Sequence, residues 1–293
     1  MDTNNVIIIG GGPAGVSAAL YTVRAGVKTL LIASAGGALA KAKEIENYYG
    51  FTNPISGQVL LQDGLNQARR LGAEILADKE VVAITEDDKG FIVETSDKAS
   101  FPCKVLILAT GASRAKPKWQ GFNSYEGRGV SYCAVCDAFF SRGKDVAVAG
   151  SGAYALHEAQ ALLPLVRSVT LCTDGQPLSA NFPPDIKIMD KPVESLIGEA
   201  GLSGLTFKDG SSIEINALFV AIGTAGSTGL ASSMGVALKD GDVIVDKNMR
   251  TNVPCLLAAG DNTGGMKQIA KAVYEGAVAG TEAVKIIREG LVK

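Results

Sequence analysis

VIIIGGGPAGVSAALYTVRAG, residues 6–26, joins a short apolar strand to an alanine-rich helix through a glycine turn. Gly10, Gly12 and Gly15 have the spacing G-x-G-x-x-G between this strand and this helix. Glycines at such positions let the main chain approach a pyrophosphate at the helix N-terminus. The segment therefore predicts a dinucleotide-binding unit of the α/β class.

The same pattern occurs a second time. DVAVAGSGAYALHEAQALL, residues 145–163, places Gly150, Gly152 and Ala155 after another apolar strand. VLILATGAS at 105–113 and LLAAGDNTGG at 256–265 look like closing strands of one such fold. We therefore predict an α/β protein with two Rossmann-like, three-layer nucleotide-binding domains, the second inserted in the first.

The positions of these segments give the expected domain boundaries. Residues 1–115 and 245–293 form the discontinuous first domain, and residues 116–244 form the inserted domain. The charged, alternating stretch at 80–97 predicts a hairpin accessory to the first domain.

The composition favours a globular protein that acts on a small molecule or another protein. The 293 residues are 47% hydrophobic, and 28 basic residues nearly balance 30 acidic ones. No basic stripe suggests nucleic acid, and no stretch reaches the ~18 apolar residues of a membrane span. The N-terminus lacks a basic segment ahead of its short apolar run, so we expect a cytoplasmic location.

GVSYCAVCDAFF, residues 129–140, contains a C-x-x-C pair followed by an aspartate. In a reducing compartment such a pair is typical of a redox or metal site. The other cysteines, Cys103, Cys172 and Cys255, stand alone in apolar runs and are expected to be buried. No second pair stands at zinc-site spacing, so we predict no metal and a dithiol that exchanges electrons.

Together these segments resemble the low-molecular-weight thioredoxin reductases almost from end to end. The similarity lies in GGGPAG at 10–15, EIENYYGF at 44–51, ATG at 109–111, CAVCD at 133–137, GD at 260–261 and KQI at 267–269. The resemblance implies a homodimer whose FAD-binding domain is interrupted by a pyridine-nucleotide-type domain carrying the redox cysteines.

The resemblance also implies which residues bind FAD. Gly10, Gly12 and Gly15 would hold the pyrophosphate, Asn47 and Gln268 would lie at the flavin, and Asp261 would bind the ribityl chain. Asn47 could instead be a turn residue, and Gln268 an ordinary polar residue at a helix start. The full predicted set is Gly10, Gly12, Pro13, Ala14, Gly15, Asn47, Thr110, Gly111, Gly260, Asp261, Lys267, Gln268 and Ile269.

The catalytic roles follow the same resemblance. Cys136 would face the flavin, Cys133 would attack the disulfide of the protein substrate, and Asp137 would donate and accept the proton. Other disulfide reductases use a histidine base, whereas the single histidine here, His157, falls in the middle of a predicted helix. Asp137 could also be a solvated residue near a helix start.

The chain departs from the family where NADPH should bind. Thr173, Asp174 and Gly175 replace a histidine and two arginines that grip the 2'-phosphate, and Tyr154 replaces a small serine. Asp174 would repel that phosphate; it could accept from the ribose of NADH or simply be a turn residue. We expect the Tyr154 ring to occupy the pyrophosphate position.

The FAD site has departures too. Ala33 replaces the acid expected at the adenosine ribose, and Ala38 replaces a glutamine. The adenosine side of FAD should therefore be held differently or more loosely.

A flavoprotein that keeps the dithiol but loses the nicotinamide site is similar to the ferredoxin-dependent flavin thioredoxin reductases. We therefore predict electron transfer from reduced ferredoxin, through FAD and the Cys133/Cys136 dithiol, to thioredoxin. An NADH- or NADPH-dependent disulfide reductase is the alternative enzyme. A flavin redox sensor is the alternative of another class, although the intact C-x-x-C-D sequence favours turnover.

Overall fold

The computed structural model describes residues 4–34, 37–111, 117–132, 134–222, 227–239 and 241–291. The chain divides into two compact units: Met1–Ser113 with Gly226–Lys293, called the first unit, and Arg114–Ala225, called the second unit. The chain therefore returns to the first unit about 20 residues earlier than the boundary at 244/245 expected from the sequence.

The first segment of the first unit contains an open sheet and two α-helices. Its strands are β1 (Asn4–Ile9), β2 (Thr29–Ala33), β3 (Glu74–Ala77), β4 (Val81–Asp87), β5 (Gly90–Thr95) and β6 (Ser100–Leu108). Its helices are α1 (Pro13–Arg24) and α2 (Gly57–Arg70), and a 3-10 turn covers Leu39–Lys41.

The second unit contains eight strands and two α-helices within its described residues. The strands are β7 (Val130–Ser131), β8 (Asp145–Ala149), β9 (Ser168–Cys172), β10 (Ile186–Met189), β11 (Val193–Ile197), β12 (Gly204–Phe207), β13 (Ser212–Glu214) and β14 (Ala217–Val220). The helices are α3 (Ala134–Asp137) and α4 (Ala153–Leu162), with 3-10 turns at Phe122–Tyr125 and Ala138–Ser141.

The last segment completes the first unit. It contains α5 (Ser227–Ser233), β15 (Leu238–Lys239), β16 (Asp242–Val243), β17 (Leu256–Ala258), a 3-10 turn at Asp261–Thr263 and α6 (Ile269–Arg288). Helix α5 lies against β4, and β16 lies against the 3-10 turn at Asp261–Thr263. These contacts place residues 227–243 with the first unit and explain why the expected boundary was wrong.

Both units confirm the expected α/β class. In the first unit, β3, β2, β1, β6 and β17 form neighbouring parallel strands, and β5 and β4 continue from β6 as antiparallel strands. In the second unit, all five strands of the sheet β10-β9-β8-β14-β7 are parallel, and β11-β12-β13 form a separate antiparallel sheet. Each of these sheets has a group of parallel strands, and a glycine turn follows β1 in the first and β8 in the second, which matches the two predicted nucleotide folds.

Small residues let α1 and α6 pack closely over the first sheet. A Cβ on Gly276 would lie 2.1 Å from the carbonyl oxygen of Ala14, and one on Gly280 would lie 2.6 Å from that of Ala18. The hydroxyl of Ser17 also donates to the carbonyl oxygen of Val273 over 2.7 Å. The close approach fixes the start of α6 beside the first glycine turn, where the candidate site begins.

No helix within the described residues has both the length and the apolar content needed to cross a bilayer.

Candidate active site

The first glycine turn combines two packing glycines with one open position. A Cβ on Gly10 would lie 2.1 Å from the carbonyl oxygen of Ala109, and one on Gly15 would lie 1.8 Å from that of Gly10. At Gly12, the N-cap of α1, no described atom lies within 4 Å of an added Cβ. The turn therefore leaves the amino end of α1 open to an anion, with Pro13 at the first helical turn.

An unsatisfied polar atom lies after the neighbouring strand. Thr110 follows β6, and its Oγ1 is buried with no hydrogen-bond partner among the described residues. Gly111 follows with a φ of +77° in the left-handed region. Because buried polar atoms are nearly always paired, an unpaired hydroxyl next to an open glycine turn fits a bound ligand.

The main chain of the loop that carries Asp261 forms hydrogen bonds with the ion pair of Lys271 and Glu275. The amide of Gly260 donates to Oε2 of Glu275 over 2.8 Å. Lys271 Nζ lies 3.0 Å from the same Glu275 oxygen and donates to the carbonyl oxygens of Gly260 and Gly264. A Cβ on Gly260 would lie 2.9 Å from that of Ala14, so this loop adjoins the first glycine turn.

Asn47 and Gln268, predicted flavin neighbours, are brought together although 221 residues separate them. The Asn47 Nδ2 amide donates to Oε1 of Gln268 over 3.0 Å. Both side chains are exposed, as is Lys267. Next to them, Ile269, Gly12 and Pro13 line a cavity of about 130 Å³ together with Tyr48.

Together these features fit the phosphate and ring portions of FAD. The open turn, the orphaned hydroxyl and the cavity involve Gly12, Thr110 and Ile269, three of the predicted residues. On the adenosine side, Ala33 is 6% exposed and contributes no polar group, and the looser hold stays a prediction. Ala38 precedes the 3-10 turn at Leu39–Lys41.

The C-x-x-C segment lies at the start of α3. Cys133 lies outside the described residues, and Cys136 lies within α3, although its side chain is not described. Asp137 ends α3 and accepts a hydrogen bond from the buried Ser131 hydroxyl, with 2.6 Å between Oγ and Oδ2. This contact orients the Asp137 carboxylate toward the end of β7, so Asp137 is not simply a solvated helix residue.

Two side chains of α4 contact the main chain of the same segment. Tyr154 Oη donates to the carbonyl oxygen of Tyr132 over 3.2 Å, and the amide of Ala134 donates to Oε2 of Glu158 over 2.6 Å. Burial raises the pKa of Glu158 to about 7, while the Ala134 amide opposes that rise. Burial and the neighbouring Glu158 both raise the pKa of Tyr154.

The expected position of Tyr154 was wrong. Its side chain is 5% exposed and lies inside the second unit, against the segment that precedes the cysteines, rather than over the pyrophosphate position. Tyrosine can be buried here because its hydroxyl finds a carbonyl partner.

Asp174 forms a structural link within the second unit. Its Oδ2 accepts from the indole nitrogen of Trp119 over 3.1 Å, and its Oδ1 accepts from the amide of Val193 over 2.7 Å. Its φ of +55° lies in the left-handed region, and Gly175 follows with a φ of +74°. Both carboxylate oxygens are engaged, so the geometry favours the turn interpretation over binding of a ribose.

The loop that follows β9 is hydrogen-bonded to the second glycine turn. The amide of Ser179 donates to the carbonyl oxygen of Ser151 over 2.9 Å. The loop after β9 is thereby attached to the turn between β8 and α4, where a pyrophosphate would have to approach. The segment 223–226, which follows β14, lies outside the described residues.

Comparisons with known proteins agree with this architecture. The family model Pyridine nucleotide-disulphide oxidoreductase matches residues 4–276. A thioredoxin reductase of Aquifex aeolicus is 37% identical over 279 residues, which cover 88% of this chain and 84% of the relative. The chain belongs to the thioredoxin reductases of this family. Thioredoxin reductases bind FAD, in agreement with the expected cofactor.

Two solved structures in this family are also similar. The atypical thioredoxin reductase TRi from Desulfovibrio vulgaris Hildenborough is 40% identical with a TM-score of 0.91. The match covers 98% of this chain and 99% of the TRi chain. A ferredoxin-flavin thioredoxin reductase from Clostridium acetobutylicum is 29% identical with a TM-score of 0.75 over the same shares. Both support two Rossmann-like domains for this thioredoxin reductase.

The other cysteines and the single histidine of this thioredoxin reductase differ in burial. Cys103 and Cys172 are buried as predicted, and burial raises the pKa of each thiol to about 12. Cys255 is only half-buried, which corrects the expectation of full burial, and its thiol donates to the carbonyl oxygen of Leu291. His157 lies within α4 and is half-buried.

The sequence reasoning missed the buried acids Glu158 and Glu275. Each stands in a helix otherwise rich in alanine, glycine and apolar residues, at a position that faces the interior. An acid on the apolar face of such a helix is the signal that could have found them, because burying a carboxylate is costly unless it has a partner.

Proposed function

We propose that this protein is a flavin-dependent thioredoxin-disulfide reductase that receives its electrons from reduced ferredoxin. The route leads from FAD to the Cys133/Cys136 dithiol and on to the disulfide of thioredoxin. Bound FAD supplies a two-electron store between a one-electron donor and the dithiol.

The choice of donor rests on one observation: the groups that would bind NADPH in the second nucleotide fold are either absent or already bonded within the protein. Both carboxylate oxygens of Asp174 already have protein partners, and Ser179 ties a loop to the second glycine turn at Ser151. Thr173, Asp174 and Gly175 offer no cation to the 2'-phosphate of NADPH. Each lost charge-assisted contact weakens binding by about 1.5–3 kcal/mol, so losing two predicts at least about a hundredfold weaker NADPH binding.

A protein donor is compatible with this architecture. One similar solved structure, from Clostridium acetobutylicum, is a ferredoxin-flavin thioredoxin reductase. A one-electron protein donor needs no site in the second nucleotide fold.

The dithiol chemistry requires two exchange steps. The Cys133 thiolate attacks one sulfur of the thioredoxin disulfide, forming a mixed disulfide and releasing one thioredoxin thiolate. The Cys136 thiolate then attacks the Cys133 sulfur, closing the Cys133–Cys136 disulfide and releasing the second thiolate. Two electrons pass to thioredoxin, and Asp137 moves a proton between thiols and solvent in this proposal. Its support is the hydrogen bond from Ser131, which orients the carboxylate.

The surface next to the C-x-x-C segment suits a protein substrate. Phe139 and Phe140 follow Asp137 directly, and each is 72% exposed. Two adjacent exposed aromatic side chains provide apolar contact area for a protein partner.

The first test is anaerobic reduction of the flavin by NADPH, NADH and reduced ferredoxin in parallel. We expect rapid, saturable bleaching with ferredoxin alone. Rapid reduction by micromolar NADPH would overturn the proposed donor, and the same result with NADH would favour the alternative enzyme.

The second test concerns the substrate. The Cys136→Ser variant should trap thioredoxin as a mixed disulfide through Cys133, detectable by mass spectrometry. The Cys133→Ser variant is its matched control and should trap none.

A redox sensor would bleach with dithionite but leave added thioredoxin oxidised, which separates that alternative from turnover. A homodimer and a cytoplasmic location remain part of the proposal.

A further inference from the structure

Helix α4 presents two polar side chains to the interior of the second unit, one helical turn apart. Tyr154 and Glu158 are each 5% exposed, and the other buried residues of α4 are Ala155, Ala159 and Leu162. Residues four apart lie on the same helix face. The two polar groups therefore interrupt an otherwise apolar packing surface.

The partners of these two side chains flank Cys133 in sequence. Tyr154 Oη donates to the carbonyl oxygen of Tyr132, and Glu158 Oε2 accepts from the amide of Ala134. Strand β7 ends at Ser131, and α3 begins at Ala134. The amide of Ala134 therefore belongs to a first helical turn, where main-chain donors have no partner within the helix.

Burying these two polar groups costs free energy, which their hydrogen bonds to the main chain offset only in part. A carboxylate 5% exposed loses most of its hydration, and the raised pKa of Glu158 reflects that loss. An apolar residue at this position would pack against α3 without that penalty. At this position the Glu158 carboxyl instead accepts from the Ala134 amide, so its burial is linked to the main chain next to Cys133.

We propose that Tyr154 and Glu158 are positioning residues of the dithiol, fixing the main chain on both sides of Cys133. The assignment of Cys133 as the attacking thiol rests on the proposed function. Holding Tyr132 and Ala134 limits the conformations of the segment between them, which lowers the entropy lost when the Cys133–Cys136 disulfide closes. The effective concentration of one thiol toward the other is therefore higher with both contacts than without them.

The test measures this closing equilibrium directly in the FAD-loaded protein against a glutathione redox buffer. Glu158→Ala should lower the equilibrium constant for disulfide formation about tenfold, which corresponds to about 30 mV for a two-electron couple. Glu158→Gln keeps an acceptor oxygen for the Ala134 amide and should stay within about threefold of the unmodified protein. Tyr154→Phe, which removes one hydroxyl, should lower the constant about threefold.

A second readout reports the main chain itself. Amide hydrogen exchange of the peptide covering residues 130–138 should speed up in Glu158→Ala and recover in Glu158→Gln. Glu282→Gln is the matched control, since Glu282 is another buried acid, paired with Arg250 in the first unit. It should change neither readout.

The outcomes separate this proposal from the proposed function. Constants for Glu158→Ala and Tyr154→Phe within twofold of the unmodified protein would overturn the positioning role, as would equal losses in Glu158→Gln and Glu158→Ala. Should Glu158→Ala fail to fold, Tyr154→Phe still decides through both readouts. The glutathione equilibrium needs neither thioredoxin nor ferredoxin, so an unmodified protein unable to reduce thioredoxin would refute only the proposed function.

Discussion

Replacing Glu158 with glutamine should stabilise the second unit, and the gain should grow with pH. Burial raises the pKa of Glu158 from 4.5 to about 7, an effect that the Ala134 amide only partly offsets. Between these two values the folded chain keeps a proton that the unfolded chain releases. The free energy of unfolding of the unmodified protein therefore falls as pH rises through this window.

The magnitude follows from the two pKa values. The difference between 4.5 and about 7 corresponds to about 3 kcal/mol at 1.36 kcal/mol per tenfold change in proton affinity. Most of this difference, about 2–3 kcal/mol, lies between pH 5 and pH 8. Glutamine carries no proton to release, so the unfolding free energy of Glu158→Gln relative to the unmodified protein should rise by that amount over this range.

The single tryptophan provides the assay. Trp119 is buried in the second unit, so its fluorescence during urea unfolding reports that unit. Glu214→Gln makes the same chemical change at an exposed site of β13 and should show no such trend. Parallel stability curves for Glu158→Gln and the unmodified protein from pH 5 to pH 8 would refute the reasoning.

Three further variants test the surrounding structure. Asp174→Ala should destabilise the second unit by about 1–3 kcal/mol and shift Trp119 fluorescence, because two hydrogen bonds lose their acceptor; an unchanged unfolding midpoint would contradict this role. Lys271→Met should weaken FAD retention during dialysis, because the Asp261 loop loses the ammonium that holds its carbonyl oxygens; full retention would argue against that support. Ala33→Glu should strengthen FAD binding, measured as a lower Kd in titrations of the apoprotein, if an acid at the ribose is the missing contact; a weaker or unchanged Kd would refute that reason.

The features that could be predicted from the sequence depend on short-range main-chain rules. The glycine turns, the parallel strands beside them and the hairpin of β4 and β5 follow from spacing and alternation within a few residues. The pairing of Asn47 with Gln268 joins residues 221 apart, and no local pattern indicates it. Only the family resemblance placed both residues at one site.

The errors have identifiable physical reasons. The sequence places Tyr154 in the first turn of a helix but does not show which way its ring points. In the structure the ring lies in the interior of the second unit. Glu158 was overlooked because a charged helix residue is usually exposed. The boundary error arose at residues 227–243, where a short helix and two short strands carry no sign of which unit they join.

The two glycine turns show why a motif alone does not establish a ligand. A Cβ on Gly150 would lie 2.3 Å from the carbonyl oxygen of Ala221, just as one on Gly10 would lie 2.1 Å from that of Ala109. Both glycines are thus required for packing their turn against the neighbouring strand, with or without a nucleotide. The turns differ at the residue after this glycine: a Cβ on Gly11 would lie 2.7 Å from that of Ala33 in β2, whereas the carbonyl oxygen of Ser151 accepts from the amide of Ser179 in the loop after β9. A chain that stopped binding a nicotinamide would still need Gly150, so the second G-x-G is compatible with a fold whose remaining task is to carry the redox cysteines.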